Sequence, residues 1–235
     1  MSHPLQNYYS RIYRTYDLVN ALFTFGMDKK WRKITVSHCL SSNPSKVLDL
    51  CCGTGDMAIA VAVNSRKGTR VTGYDLNPEM LEAAVKKALH KQVDVTFIRG
   101  DVADLPFSSN EFDGITIGFG FRNLTWQNPG RSRHISEISR VLRTGGKLLI
   151  LESARPENPV IRFFYSLYLK AVLVPIGGLI SGDWNAYRYL AGSSAGFYEF
   201  GELKTMLAEH GLELRIHSKF LFGSVNLLEA IKIAM

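Results

Sequence analysis

Cysteine is scarce in this sequence. Three stand among 235 residues, Cys39, Cys51 and Cys52, an odd number with two adjacent, so a disulfide framework is excluded and no CxxC pair is present to hold zinc. The six histidines fall without a ligand-like spacing, and no metal site is expected. The opening residues, MSHPLQNYYSRIYRTYD, lack the apolar stretch of a signal peptide, so the expectation is a cytoplasmic protein in a reducing compartment. Internal repeats are missing too. The most apolar segment, Pro159 to Ile180, is broken by Arg162, Lys170, Pro175 and the pair Gly177-Gly178, which fits an interfacial or lid-like helical insertion better than a membrane span.

Acidic charge is in deficit, with 21 Asp/Glu against 28 Lys/Arg and a net charge of +7. The surplus is uneven. Residues 1–46 hold seven Lys/Arg against two Asp/Glu, and residues 155–191 hold four against two, whereas the rest of the chain is close to neutral. Both basic segments are rich in aromatic and aliphatic residues, a mixture that suits an anionic membrane surface or a nucleic acid. A solvated basic face is the plainer alternative. At 46% hydrophobic and 21% charged, the composition is that of an ordinary globular protein. Its length fits one large domain, at roughly 150 residues per domain, which would bury roughly 70 to 75% of the unfolded surface without staples.

From Lys46 onward, short β-rich runs alternate with longer helical ones. Strands are predicted at 46–50, 69–75, 93–101, 112–118 and 147–152, the last preceded by a Thr-Gly-Gly turn at 144–146. Helices are predicted at 56–63, 78–89 and 131–142. Such interleaving implies βαβ units on a parallel sheet, a doubly wound α/β fold. A helix at 199–210 and strands at 213–220 and 225–233, joined by a short Phe-Gly-Ser turn, imply an antiparallel hairpin at the sheet edge. The chain thus divides into a helical cover (1–45), a cofactor-binding core (46–152), a helical substrate-side insertion (153–192) and a C-terminal helix and hairpin (193–235), all within one domain.

The first strand runs into Asp49-Leu50-Cys51-Cys52-Gly53-Thr54-Gly55-Asp56. Glycines here let the backbone turn tightly and bring a ligand to the start of the next helix. Gly53 to Ala58 also matches the GxGxxA dinucleotide fingerprint, and Asp75, 20 residues after Gly55, stands where an acid would hold ribose hydroxyls. Two acids move the balance from a dinucleotide to S-adenosylmethionine. Asp49, ahead of the glycines, can pair with an ammonium group but would repel a diphosphate. Asp101, ending the third strand, is placed to accept from an adenine amino group. The C-terminal hairpin also departs from the simplest dinucleotide-binding unit.

With these residues in view, the sequence resembles the class I S-adenosylmethionine-dependent methyltransferases, and more narrowly the menaquinone/ubiquinone biosynthesis C-methyltransferase family. The resembling stretches are YDLVNALFTFGMDKKWRK (16–33), LDLCCGTGD (48–56), GYDLNPEML (73–81), GDVADLPFSSNEFDGITIGFGFRNL (100–124), RVLRTGGKLLILE (140–152) and YRYLAGS (187–193). They span most of the chain. The resemblance implies a seven-stranded, mainly parallel sheet with its last strand reversed, and methyl transfer to a ring carbon of a prenylated quinol, with demethylmenaquinol favoured. It also implies cofactor contacts at Thr54, Asp75, Asp101 and Val102. Where the family usually has a cofactor-contacting serine, this sequence has Gly118. The C-terminal LFGSVNLLEAIKIAM departs from the family's Gly-rich, His-containing ending.

Methyl transfer to carbon needs the acceptor held in line with the S–CH3 bond at about 3 to 3.5 Å. A phenol with a pKa near about 10 also needs help in losing its proton at neutral pH. Arg122 and Asn123, directly after the fourth strand, are the catalytic candidates: the arginine to stabilise phenolate charge, the amide to fix the hydroxyl. Tyr16, Asp17, Asn20, Tyr187 and Tyr189 are candidates for the substrate-side cover. The basic, apolar segments are expected to rest peripherally on an anionic bilayer. No nucleic acid is expected, and a homodimer is compatible with the sequence. The alternatives are a methyltransferase for another lipid, small molecule or RNA, and an NAD-dependent oxidoreductase.

Overall fold

The computed structural model describes residues 4–234, with side chains from Tyr9 onward; the outermost ends of the expected cover and of the C-terminal segment lie outside the described residues. Strand β1 (Lys46–Leu50) is buried along all but its first residue, as a central parallel strand covered on both faces must be. It lies between β2 (Arg70–Asp75) and β4 (Phe112–Gly118), with Leu50 in register with Tyr74 on one side and Ile117 on the other. Adding β3 (Thr96–Arg99), β5 (Leu142–Ser153), β6 (Leu212–Phe220) and β7 (Val225–Lys232) gives a seven-stranded sheet in the order β3-β2-β1-β4-β5-β7-β6. All pairings are parallel except those of β7, which runs antiparallel to both β5 and β6. The strand order reverses between β1 and β4, the switch point outside which ligands bind in doubly wound sheets.

Side-chain alternation sends successive residues of each strand to opposite faces. Leu48, Leu50, Ile115 and Ile117 pack on one face with Ile135 and Ile138 of helix α6 (Arg131–Val141). Val47, Leu149 and Leu151 pack on the other with Trp31 and Cys39 of α2 (Asp28–Leu40) and Met57 and Val61 of α3 (Asp56–Asn64). Helix α4 (Pro78–Lys91) starts where the sequence signals it, with the Asn77 side chain accepting from the Met80 N–H and Pro78 in the first turn. Helix α10 (Phe200–Ala208) is set by a capping box between Glu199 and Glu202.

Three expectations are corrected in detail. The third strand is shorter than 93–101, so Asp101 lies two residues past its end, in a loop. The Thr-Gly-Gly turn does not precede β5 but interrupts it: Leu142 pairs with Phe112 and Lys147 with Gly114, and the residues between loop out around Gly145 at φ +74°. The hairpin connection is a 3-10 turn, Leu221–Gly223, that leaves Phe222 80% exposed.

A third apolar cluster sits above the sheet's carboxyl edge. Helix α1 (Pro4–Phe23) contributes Ile12 and Val19 to it; α9 (Trp184–Ala195) contributes Ala186, Tyr187 and Ala191. Between β5 and α9 runs a helical stretch made of α7 (Pro159–Tyr168), a π-helical turn (Leu169–Leu173) and α8 (Val174–Ser181). Taken together, Pro159–Ser181 is long and apolar enough to cross a membrane by length and composition, with a mean hydropathy of 1.7. Here it lies along the molecule, burying Leu169 and Leu173 against α1 and α9 and seating the Tyr187 ring on Gly177.

Candidate active site

A cleft of about 680 Å³ opens at the carboxyl ends of β1, β2 and β4. Its floor is the loop after β1, where Gly53 takes φ +52° and Gly55 φ +82°, left-handed values that glycine adopts without strain. Where a Cβ on Gly53 would stand there is nothing within 4 Å, so a ligand can approach this backbone closely. Asp75, at the end of β2, lines the cleft and is fixed in place: Oδ2 accepts from the Gly53 N–H at 2.8 Å and Oδ1 from the Asn77 N–H at 2.8 Å. Burial pushes its carboxyl above the usual range, against the pull of those backbone donors. Asp101 and Val102 line the far end, the acid with its side chain 59% exposed and one oxygen accepting from the Ala103 N–H. His134 of α6 stands beside them, its Nδ1 at 2.9 Å from the Leu124 carbonyl. Gly118 is also on the cleft wall. A Cβ there would meet Nη1 of Arg32 at 3.0 Å, so this guanidinium occupies the space into which a side chain at 118 would grow.

Four predicted site residues stand behind the cleft wall. Asp49 is fully buried on the α3 face of the sheet, where Oδ1 accepts from the Thr116 hydroxyl at 2.7 Å and Oδ2 from the Ala58 N–H at 3.0 Å. Strand alternation puts it there, and it cannot touch a ligand's ammonium group directly. Burial raises its pKa to about 7. Thr54 is turned away as well, its hydroxyl donating to Asp17 Oδ1 at 2.7 Å and accepting from Lys87 Nζ at 2.9 Å. Asp17 is thus on the wall of neither this cleft nor the apolar cavity beside it. With Lys87, which also pairs with Asp56 at 2.7 Å, it ties α1 to the glycine loop. Gly55 is required by close packing, since a Cβ would stand 2.8 Å from that of Ala84 on α4.

A second cavity, of about 330 Å³ and largely apolar, adjoins the first, with Tyr16 and Phe119 on the walls of both. Phe119 has φ +61°, a left-handed value that costs a residue with a side chain about 1 to 3 kcal/mol and clusters at ligand sites. Asn20, Tyr168, Leu169 and Leu173 line this cavity, and one end is polar, built from Arg122, Ser153 and Ser194. Arg122 is almost wholly buried, with Nη1 at 2.8 Å from Glu152 Oε1 and its own N–H donating to Glu152 Oε2 at 3.0 Å. Burial opposes its charge most strongly, but Glu152 together with Tyr9, Tyr189 and Tyr165 holds the guanidinium above its ordinary range. Asn123 faces the cleft instead. Its Nδ2 donates to the Tyr9 hydroxyl at 2.9 Å, and its Oδ1 accepts from the Tyr189 hydroxyl at 3.2 Å. Tyr187 takes no place on either cavity wall; it is a packing residue of the cover.

The model of the ubiE/COQ5 methyltransferase family matches residues 2–232. The chain belongs to this family. Among its relatives, the demethylmenaquinone methyltransferase of Thermotoga maritima is 42% identical over 215 residues, which cover 90% of this chain and 89% of the relative. That of Thermus thermophilus is 39% identical over 207 residues, 88% and 92% of the two chains. The ubiquinone/menaquinone biosynthesis C-methyltransferase UbiE of Syntrophotalea carbinolica is 37% identical over 219 residues, 93% and 90%. Solved structures share the fold at lower identity. A SAM dependent methyltransferase from Aquifex aeolicus aligns with a TM-score of 0.60 at 16% identity, over 84% of this chain and 89% of that one. Magnesium protoporphyrin IX methyltransferase from Synechocystis, solved with bound SAH, aligns with a TM-score of 0.60 at 20% identity, over 87% and 83%.

The ubiE/COQ5 protein described here is thus a methyltransferase with the class I fold, and its cofactor is S-adenosylmethionine. The cleft fits that group: open glycine backbone at Gly53, a fixed carboxylate at Asp75 for hydroxyl donors, and a second at Asp101 for an amino donor. A diphosphate would meet both carboxylates, and among the described residues of the wall Arg133 is the one Lys or Arg to offset them. Sequence reasoning missed Glu152, Ser153, Ser194 and Phe119. Glu152 was in view as the end of the fifth strand, and that β4 and β5 are neighbours in parallel register, Gly118 opposite Leu151, is what brings it to Arg122.

Proposed function

We propose that this ubiE/COQ5 methyltransferase methylates a ring carbon of a prenylated hydroquinone, with demethylmenaquinol as the acceptor. The observation that carries this reading is the apolar cavity abutting the cofactor cleft across Tyr16 and Phe119 and ending on a buried arginine. A flat ring with a hydrocarbon tail matches such a cavity, and the names of the relatives agree with it.

When bound, the cofactor supplies a methyl group on a positively charged sulfur. The chain's residues do the rest. Asp75 and Asp101 would hold the donor, one through hydroxyl groups and the other through an amino group, and Tyr16 and Phe119 would set where the acceptor ring can lie. Arg122, a fixed cation at the polar end, favours the acceptor's oxygen as phenolate, the form in which the ring carbon is nucleophilic. Asn123, gripped by two tyrosines, presents a rigid amide to the cleft.

The cavity mouth fits delivery of the acceptor from a lipid surface. Phe25, Phe164 and Phe222 line the cavity and are 74%, 61% and 80% exposed, and Lys29, Lys30 and Lys170 are exposed nearby in sequence. Large exposed apolar patches beside cations suit the headgroup boundary of an anionic membrane. The enzyme would then work peripherally at a cytoplasmic membrane face.

Incubation with methyl-labelled S-adenosylmethionine and a panel of reduced, demethylated quinones, followed by mass spectrometry, tests the proposal. The expected product is methylated menaquinol; labelling of no quinol, with another small molecule labelled instead, would contradict it.

A further inference from the structure

The step left open above is removal of the acceptor's hydroxyl proton, because Arg122 remains charged and cannot take it. The groups on and around the cavity narrow the choice. Tyr9 and Tyr16 of α1 and Tyr165 and Tyr168 of α7 all have hydroxyls pushed up by burial, Tyr165 to about 12, so they stay protonated. Cys51 is likewise driven well above its ordinary value. Two carboxylates remain. Asp28 of α2 lines the cavity, accepts from the Thr24 hydroxyl at 3.0 Å and lies 3.8 Å from Arg32 Nε, but Arg32 is not on the cavity wall. Glu152 is 2% exposed and adjoins two residues of the cavity wall, Arg122 and Ser153, of which Ser153 carries the hydroxyl that can pass it a proton. Ser153 lines the cavity, and its hydroxyl donates to Glu152 Oε1 at 2.9 Å, lies 3.3 Å from the hydroxyl of Ser194, another residue of the cavity wall, and accepts from Arg122 Nη1.

We infer that Ser153 and Glu152 form a proton relay in which the Ser153 hydroxyl takes the acceptor's proton while passing its own to Glu152. The inference rests on the quinol reading above. Its favourable feature is that the base and the charge-stabilising cation share one hydroxyl: the phenolate forms against Arg122 at the place where the proton leaves. The step balances. The O–H electron pair stays on the acceptor's oxygen, and the proton ends on Glu152 Oε1. The ring carbon then bonds to the methyl group as the S–C electron pair returns to sulfur. Loss of the ring-carbon proton to solvent restores aromaticity and leaves a phenolate, which Ser153 reprotonates as Glu152 returns its proton. One proton is released per turnover, and the relay ends as it began.

The test compares wild type with Ser153→Ala, Ser153→Thr and Asp28→Asn. The rate of methyl transfer is followed from acid to alkaline pH, using demethylmenaquinol and a ring-halogenated analogue with a more acidic hydroxyl. At neutral pH Ser153→Ala is expected to lose about 100-fold or more in kcat with demethylmenaquinol, the usual scale for general base catalysis, with KM for S-adenosylmethionine unchanged. That deficit is expected to shrink at alkaline pH and with the halogenated acceptor, and Ser153→Thr, which keeps the hydroxyl, is expected to retain most activity. A Ser153→Ala loss that is absent, or equal at every pH and with both acceptors, would overturn the relay. So would a pH-dependent loss in Asp28→Asn alone. Failure of wild type on both quinols would overturn the quinol reading, and the relay with it.

Discussion

Arg122 makes its ion pair with Glu152 where water cannot reach, so removing one partner leaves the other charged and alone. Arg122→Ala is predicted to cost about 3 to 5 kcal/mol of stability on that ground. Pairing it with Glu152→Gln should restore most of the stability, read by denaturant melts, without restoring methyl transfer. Full catalytic recovery in the double variant would show the arginine to be structural only. Asp49 gives a pH signature. Its pKa is about 7 when folded against 3.8 as an ordinary carboxyl, so the folded state binds the extra proton and stability declines as pH rises from about 4 to 7, then levels. Asp49→Asn should lack that decline; parallel stability curves for the two proteins would contradict the assignment. At this scale the sequence was only half legible. Asp75 faces the cleft as the last residue of β2, and Asp101 and Val102 as residues just past the end of β3. Asp49 lies within a strand, where alternation turned it to the opposite face, and Thr54 was claimed by Asp17 and Lys87, partners from helices that no local pattern joins.

Helix α1 is held over the glycine loop by polar contacts as well as by its apolar side. The Asp17 carboxylate receives the Thr54 hydroxyl and Lys87 Nζ at 2.7 and 2.5 Å. Asp17 and Lys87 are partly exposed, so their ion pair contributes modestly to stability. Their effect is expected on the rate at which the cleft opens: Asp17→Asn should weaken S-adenosylhomocysteine binding several-fold, through a faster off-rate in stopped-flow, with little change in melting temperature. An unchanged off-rate would remove α1 from the account of cofactor retention. Elements were the most legible level, because hydrophobic runs of a few residues alternating with helical periodicity specify βαβ units wherever both faces are covered. The misjudged boundaries sit at glycine and turn residues, as at Gly145, where a sheet tolerates looped-out residues without ending. The stretch from Pro159 shows its apolar character in the sequence, but its packing on α9 through Gly177 and Tyr187 depends on contacts remote in sequence.

The whole molecule places two cavities of opposite character side by side, one with acids at strand ends and one apolar with a buried cation. Neither is visible in composition. The charge distribution marks residues 1–46 and 155–191 as basic and apolar, and both segments contribute residues to the wall of the second cavity. Vesicle sedimentation should show binding that rises with anionic lipid content and falls in Phe163→Glu and Leu167→Glu, exposed positions of α7 outside the cavity wall, while methylation of a short-tailed soluble acceptor is unchanged; binding indifferent to both substitutions would refute this docking face. The juxtaposition of the cavities is tested most directly by a crystal structure with S-adenosylhomocysteine and a demethylated menaquinone bound together. The account predicts the ribose on Asp75 and the quinone ring between Phe119 and Arg122, its unmethylated carbon facing the sulfur. A quinone seated elsewhere, with the apolar cavity bypassed, would contradict it.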